Sequence, residues 1–244
     1  FDAVQREHLL DFYRQYYLNG YVILFVAGKL PADLFQLLNT SFGDLKKQPI
    51  ETNNISAQPA NEKKYRIIND PNGVQGAIRI GTPFPNRRHP DFLKAQVLNA
   101  LLGGFFGSRL MSNIREEKGY TYGIYSYLQN HIQQSAWMIS TEAGRNVCEP
   151  TIIEVYKEME RLRNEPADNE ELLLVKNYMI GNILGDLDGP FQIINRWKNI
   201  ILNGLDESYF YNQINTIKKV TSAELQELAD KYLMSERFYE LVVI

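Results

Sequence analysis

The sequence predicts an α+β fold, an antiparallel or mixed β-sheet with helices packed on one face. Two observations predict it. Apolar runs rich in aromatic and β-branched residues cluster between residues 65 and 141, whereas helical apolar stripes dominate from residue 150 onward. Strands and helices therefore fall in blocks rather than in the strict alternation of a doubly wound parallel sheet. The composition supports a globular core: 44% of the 244 residues are hydrophobic, which excludes disordered, collagenous and low-complexity readings.

Taken in order, Leu9, Phe12, Tyr13 and Tyr16 recur at helical spacing, Asn19-Gly20 breaks the pattern, and Tyr21 to Val26 reads as a buried strand. Pro31 suits a first helical position, and Leu34, Leu37 and Leu38 carry that helix to Phe42-Gly43. Residues 46–64 are polar, with Pro49 and Pro59 and almost nothing large and apolar, as a linker requires. A hairpin is expected next, Tyr65 to Ile68 and Val74 to Ile80 around Asp70-Pro71-Asn72-Gly73. Pro90 opens a helix that Gly103-Gly104 ends, both glycines being expected at positive φ. Ser108 is expected to cap a second helix, closed by Gly119.

Strands follow at Tyr120 to Leu128 and Ser135 to Thr141. Helices then carry Ile152, Val155 and Met159; Leu172, Val175 and Tyr178; Pro190 to Gly204; and Ser208 to Lys219. Thr221 with Glu224 forms a capping box, and the chain closes on a strand, Phe238 to Ile244.

Charge and cysteine usage exclude several functions. Lys+Arg 26 against Asp+Glu 29 leaves a net charge of −3, so no basic excess draws the chain to nucleic acid or anionic lipid. No apolar run approaches the roughly 20 residues of a membrane span. The single cysteine, Cys148, excludes an intrachain disulfide, suits cytoplasm and periplasm equally and is read as incidental. Lys63, Lys64, Arg66, Arg87 and Arg88 read as solvated loop charge, and Asp186 to Gly189 lacks the twelve-residue pattern of a calcium loop. An opening at Phe1 rather than Met points to a longer parent chain.

An internal similarity supports that expectation. Leu9, Phe12 and Tyr16 precede the run at 21–26 as Leu225, Leu228 and Tyr232 precede the run at 238–243, an offset of 216 positions from Leu9 to Leu225. Two similar helix–strand units arise by chance, or they descend from a parent of two similar halves. On the second reading, residues 1–48 are the tail of a preceding homologous half, 49–62 the linker and 63–244 a C-terminal domain, and a chain so divided exposes apolar surface.

The centre of the chain carries the most specific signature. Leu101-Leu102-Gly103-Gly104, Gly107-Ser108-Arg109-Leu110 and Ile114-Arg115-Glu116-Glu117-Lys118-Gly119-Tyr120-Thr121-Tyr122 form one continuous motif. It resembles the second, non-zinc-binding half of the insulinase/pitrilysin-like zinc metallopeptidases, which include the mitochondrial processing peptidases. The resemblance implies one half of a clamshell of two homologous α+β halves closing around a peptide, with zinc held by a His-x-x-Glu-His helix in the other half. That motif is missing here. His8, His89 and His131 lie in three unrelated segments, so no metal ligand and no cofactor is assigned to this chain. The partners implied are a homologous N-terminal half or catalytic subunit and a peptide substrate, with no nucleic acid and no membrane span.

By resemblance, Arg115 and Tyr122 reach the substrate across the chamber and stabilise the charge that builds on the scissile carbonyl oxygen, and Tyr120 shares the strand face of Tyr122. Read from the residues alone, Arg115 is a surface ion-pair residue beside Glu116 and Glu117, and Tyr122 packs in a tyrosine-rich strand. Ser108 has no His or Asp placed to activate it. Three functions stay open on the sequence: the non-catalytic half of a zinc metallopeptidase, an inert scaffold or partner subunit, and a peptide-binding module working by strand addition at a sheet edge.

Overall fold

The computed structural model describes residues 1–45 and 60–244, so most of the expected linker, residues 49–62, lies outside the described residues. The chain divides into two compact units, Phe1–Ser56 with Leu187–Lys198, and Ala57–Asp186 with Asn199–Ile244.

In the first unit, helix α1 (Arg6–Phe12) runs into a π-helical turn, Tyr13–Leu18, and α2 spans Leu34–Phe42. Gln5 and His8 close a capping box on α1. None of these elements has a buried residue. The strand expected at Tyr21 to Val26 does not form: the segment has no strand pairing, and Tyr21, Val22, Leu24 and Val26 are exposed. A strand is defined by its ladder, and an apolar run without a partner strand cannot complete one.

The second unit is built on a five-stranded sheet of β1 (Lys64–Ile67), β2 (Gln75–Phe84), β3 (Thr121–Asn130), β4 (Ser135–Gly144) and β5 (Tyr239–Val243), in the order β1-β5-β2-β4-β3. β1 pairs with β5 in parallel, and the remaining pairs are antiparallel, so the sheet is mixed and the fold α+β as expected. The hairpin expected at 65–80 is not one, because β5 lies between its two arms. The turn is nonetheless made by the expected residues: Asn72 N–H donates to Asp70 Oδ1 at 2.9 Å and Gly73 N–H to the Asp70 carbonyl at 3.0 Å.

Helices α3 (Phe92–Asn99), α4 (Cys148–Asn164), α5 (Asn169–Gly185), α6 (Pro190–Leu202), α7 (Glu207–Lys219) and α8 (Ser222–Tyr232) follow the expected stripes. The Thr221–Glu224 capping box is present. Alternation on β2 and β4 sends Ile78, Ile80, Trp137 and Ile139 into one core with Leu98, Val155, Met159 and Leu228 from α3, α4 and α8. Burying each such side chain contributes about 1.5–3 kcal/mol of transfer free energy. Their neighbours in sequence, among them Arg79 and Met138, point to the opposite face and are partly exposed.

Polar side chains fasten this core. Trp137 Nε1–H donates to Ser126 Oγ at 2.8 Å, and Ser126 Oγ–H donates to Asn99 Oδ1 at 2.7 Å, tying β4 and β3 to α3. Lys64 and Arg66, expected as loop charge, lie in β1, where Arg66 pairs with Glu149 and reaches Glu240 at 2.6 Å. Neither Gly103 nor Gly104 is at positive φ, and Gly103 is at −159°. A glycine is needed there because a Cβ would come within 2.7 Å of Ser126 Cβ and 2.8 Å of its nitrogen. Gly119, at φ +63°, is the C-terminal glycine as expected.

Candidate functional site

Within the run from Gly103 to Tyr122 lie a short π-helix, Met111–Glu117, a glycine turn and the start of β3. Two anchors fix that helix on the core. Arg109 forms a bidentate pair with Glu171 of α5 at 2.7 and 2.8 Å. Asn113 Nδ2–H donates to Glu158 of α4 at 2.6 Å. Ser108 is 1% exposed, but its hydroxyl has no hydrogen-bond partner. It therefore does not cap the helix; the space it fills is set by packing.

Tyr120 N–H donates to the Ile114 carbonyl at 3.0 Å, folding the chain back after Gly119. β3 then opens with a register break between Thr121 and Ile124 against β4. Thr121 and Thr141 clamp the break. Thr121 Oγ1–H donates to the Glu142 carbonyl at 2.6 Å and accepts Gly123 N–H at 3.1 Å, and the Thr141 hydroxyl donates to Thr121 Oγ1 at 2.8 Å. A bulge of this kind re-aims a side chain. Beyond it, Ile124 and Ser126 are buried and Tyr125 and Tyr127 exposed, while Tyr122 is 92% exposed. Neither threonine was singled out from sequence; Gly123 inside an aromatic strand run was the available signal.

Arg115 lies beside this tyrosine. Its Nε–H donates to the Tyr122 carbonyl at 2.9 Å, and its guanidinium sits 4.6 Å from the Phe106 ring centroid. The pairing with Glu116 is loose, at 3.9 Å. The structure thus brings Arg115 and Tyr122 together through the backbone of Tyr122. Tyr120 is partly buried against the core, unlike Tyr122, yet both border an open depression of about 540 Å³ with Lys118 and Glu142. Lys118 is held 3.7 Å from Glu154. Burial pushes the Glu154 carboxyl up, but hydrogen bonds from Lys157 and Asn113 outweigh it and keep the group below its ordinary range, so it is an anion at neutral pH.

A second concavity of about 580 Å³ opens on the sheet face away from the core, bordered by Tyr65, Pro83, Met138, Tyr239 and Leu241. Arg79, His131 and Glu240 also border this mainly apolar face.

Zinc does not fit the residues present. His8 Nδ1 accepts Gln5 N–H, His89 Nδ1 accepts Asp91 N–H, and His131 lies against Gln129. Among the described residues no group of three or more His, Cys, Asp or Glu is placed to hold a metal ion, and no helix is long and apolar enough to cross a membrane.

Comparison with known proteins places this arrangement. YmxG of Bacillus subtilis, described as an uncharacterized zinc protease, is 23% identical over 245 residues, covering 94% of this chain and 56% of that protein. A protein of Helicobacter pylori described as a non-peptidase homolog is 24% identical over 169 residues, 68% of this chain and 39% of its own length. The chain thus spans about half the length of the curated relatives it matches. The crystal structure of a peptidase M16 inactive domain from Pseudomonas fluorescens superposes with a TM-score of 0.75 at 22% identity, over 88% of this chain and 52% of that one. A Helicobacter pylori protease superposes with a TM-score of 0.84 at 16% identity, over 100% and 60%. A sequence profile described as the peptidase M16 inactive domain matches residues 3–179. Matched over most of its length by that profile, and carrying the fold of solved inactive domains, the chain belongs to the peptidase M16 inactive domain family.

Proposed function

We propose that this chain is the non-catalytic half of a zinc metalloendopeptidase and forms one wall of its peptide-binding chamber. Zinc is held by a homologous N-terminal half or a separate catalytic subunit. Tyr122 offers its hydroxyl to the oxygen on which negative charge builds during hydrolysis, and Arg115 holds Tyr122 in place and offers its remaining N–H groups to substrate carbonyls. Tyr120 lines the same wall. The observation that carries this reading is Tyr122 itself: a bulge clamped by Thr121 and Thr141 fixes its backbone, yet its side chain is 92% exposed. A tyrosine kept for sheet packing would be covered.

Residues 1–48 are, on this reading, the tail of the homologous half, 49–62 the linker and 63–244 the C-terminal domain. The unpaired run Tyr21–Val26, preceded by a helix as β5 is preceded by α8, supports that division.

A scaffold or partner-subunit role is the second reading, favoured by one observation: the Arg115 guanidinium is already engaged with Tyr122 and Phe106 of its own chain. Cleavage of a quenched fluorescent peptide library separates the two. The full chain is assayed alone and with a half bearing His-x-x-Glu-His, each with and without chelator. Chelator-sensitive cleavage that needs both halves and falls in Tyr122→Phe supports the chamber wall. An assembled pair that does not cleave, or cleaves equally well with Tyr122→Phe and Arg115→Ala, supports the scaffold.

A further inference from the structure

A third concavity, of about 620 Å³, lies in the helix layer between the start of α3, the face of α7 and the start of α8, away from Tyr122. Its walls carry an excess of positive charge that the rest of the protein does not. Two carboxylates border it, and both are spent: Glu224 pairs with Lys94 at 2.9 Å, and Asp206 accepts the Ser208 N–H and hydroxyl as the cap of α7. Three cations remain. Arg87, Arg88 and Lys219 have no carboxylate within 4.0 Å among the described residues. In a chain of net charge −3, three cations without a carboxylate partner border this one concavity.

The local geometry holds them there. The turn before α3 is fixed by Asn86, whose side chain accepts Arg88 N–H at 3.1 Å, and by Asn130, which accepts Arg87 N–H at 3.2 Å. Arg88 Nε–H donates to the Asn203 carbonyl at 2.9 Å, leaving its terminal nitrogens near Gly204, where a Cβ would meet Nη2 at 2.6 Å. Arg87, expected as solvated loop charge, is partly buried, and its Nε is buried with no hydrogen-bond partner among the described residues. On α7, Asn212, Asn215, Thr216 and Lys219 share one face at helical spacing and border the same space.

We propose that this concavity binds a phosphate group, free or carried by a small molecule. Three cations and several neutral donors from one helix and a turn match a dianion with several oxygens better than a single carboxylate. The inference is independent of the peptidase reading. Isothermal titration calorimetry of the full chain with inorganic phosphate, with AMP and with acetate tests it. Saturable binding of phosphate or AMP, weaker for acetate, is expected, weakened about tenfold by Lys219→Gln or Arg87→Gln, since a charge-assisted hydrogen bond contributes that much. Lys29→Gln, on an exposed residue elsewhere, is expected to bind as the parent does. Equal affinity for both probes identifies free phosphate as sufficient, and tighter AMP binding identifies a phosphorylated small molecule. Lys219 is exposed, so its variant tests the site even where Arg87→Gln disturbs folding. Absence of saturable phosphate or AMP binding, or unaltered binding in Lys219→Gln, overturns the proposal.

Discussion

Arg115 donates its Nε–H not to an acidic neighbour but to the backbone carbonyl of Tyr122, at 2.9 Å. The pair joins the end of the π-helix to the bulge of β3, and it leaves the tyrosine hydroxyl without a hydrogen-bond partner among the described residues while fixing the backbone that carries it. A residue held at its main chain and free at its side chain is arranged to meet a ligand.

The side chains of this pair are therefore separable in their effects. Tyr122→Phe removes an exposed hydroxyl and is expected to leave the unfolding free energy within about 0.5 kcal/mol of the parent. In the pair reconstituted with a catalytic half, it is expected to lower kcat about 10²–10³-fold with little change in KM, the cost of one lost donor to a developing oxyanion. Arg115→Ala is expected to cost about 1 kcal/mol of stability and to raise KM as well. Urea denaturation and steady-state kinetics read both.

Thr141→Val tests the clamp. The hydroxyl is buried and donates to Thr121, so an isosteric loss is expected to destabilise by about 1–3 kcal/mol. Amide exchange at Thr121 to Ile124 should accelerate more than exchange in the middle of β4, because the bulge has no other hydroxyl clamp from β4. Uniform acceleration along β3 and β4 would instead mean that Thr141 stabilises the sheet at large.

Glu240 makes stability depend on acid. Burial pushes its carboxyl up, but hydrogen bonds from Arg66 and Tyr156 outweigh that and hold it below its ordinary value of 4.5. A group whose pKa is depressed in the folded state contributes stability that is present above its unfolded value. That contribution is lost as pH falls through the folded one. The melting temperature is expected to drop on acidification below about pH 4.5, and Glu240→Gln to flatten that drop. At pH 7 the variant is expected to be about 1–3 kcal/mol less stable, since Arg66 keeps only Glu149 as a carboxylate partner. An identical acid profile in both proteins would assign the transition to other groups.

The segment Tyr21–Val26 tests the proposed division into halves. Its amides are expected to exchange freely in this chain and to become protected about 10²-fold or more when a homologous half is added, as ladder hydrogen bonds form. Protection in the isolated chain would contradict the unpaired state.

Much of the fold is legible in local signals. The capping box at Thr221, the helix stop at Gly119, the stripes of α4 and α5 and the β5 run at the C-terminus depend on neighbours within a few residues, and each forms where expected. The mistaken hairpin shows the limit. β1 and β2 are close in sequence and joined by a good turn, but β5, more than 150 residues later, has the apolar pattern to fit between them. Gly103 was expected for its φ and is required for its closeness to Ser126, a residue of another element. Arg87 is expected as solvated loop charge in a chain of acidic total, whereas Asn130 accepts its backbone N–H and it borders a concavity with α7.

By itself, the sequence determined the α+β class, the helix boundaries, the absence of a zinc motif and the family signature from Gly103 to Tyr122, because periodicity, capping and motif spacing are written in consecutive residues. Only the tertiary structure decided that Tyr122 stands exposed on a clamped bulge and that Arg115 serves it through a backbone carbonyl. It likewise decided that the run at 21–26 is left without a ladder. Exposure, strand order and hydrogen-bond partners depend on which distant segments come to lie side by side, and each of these three facts is set by a neighbour that local sequence does not name.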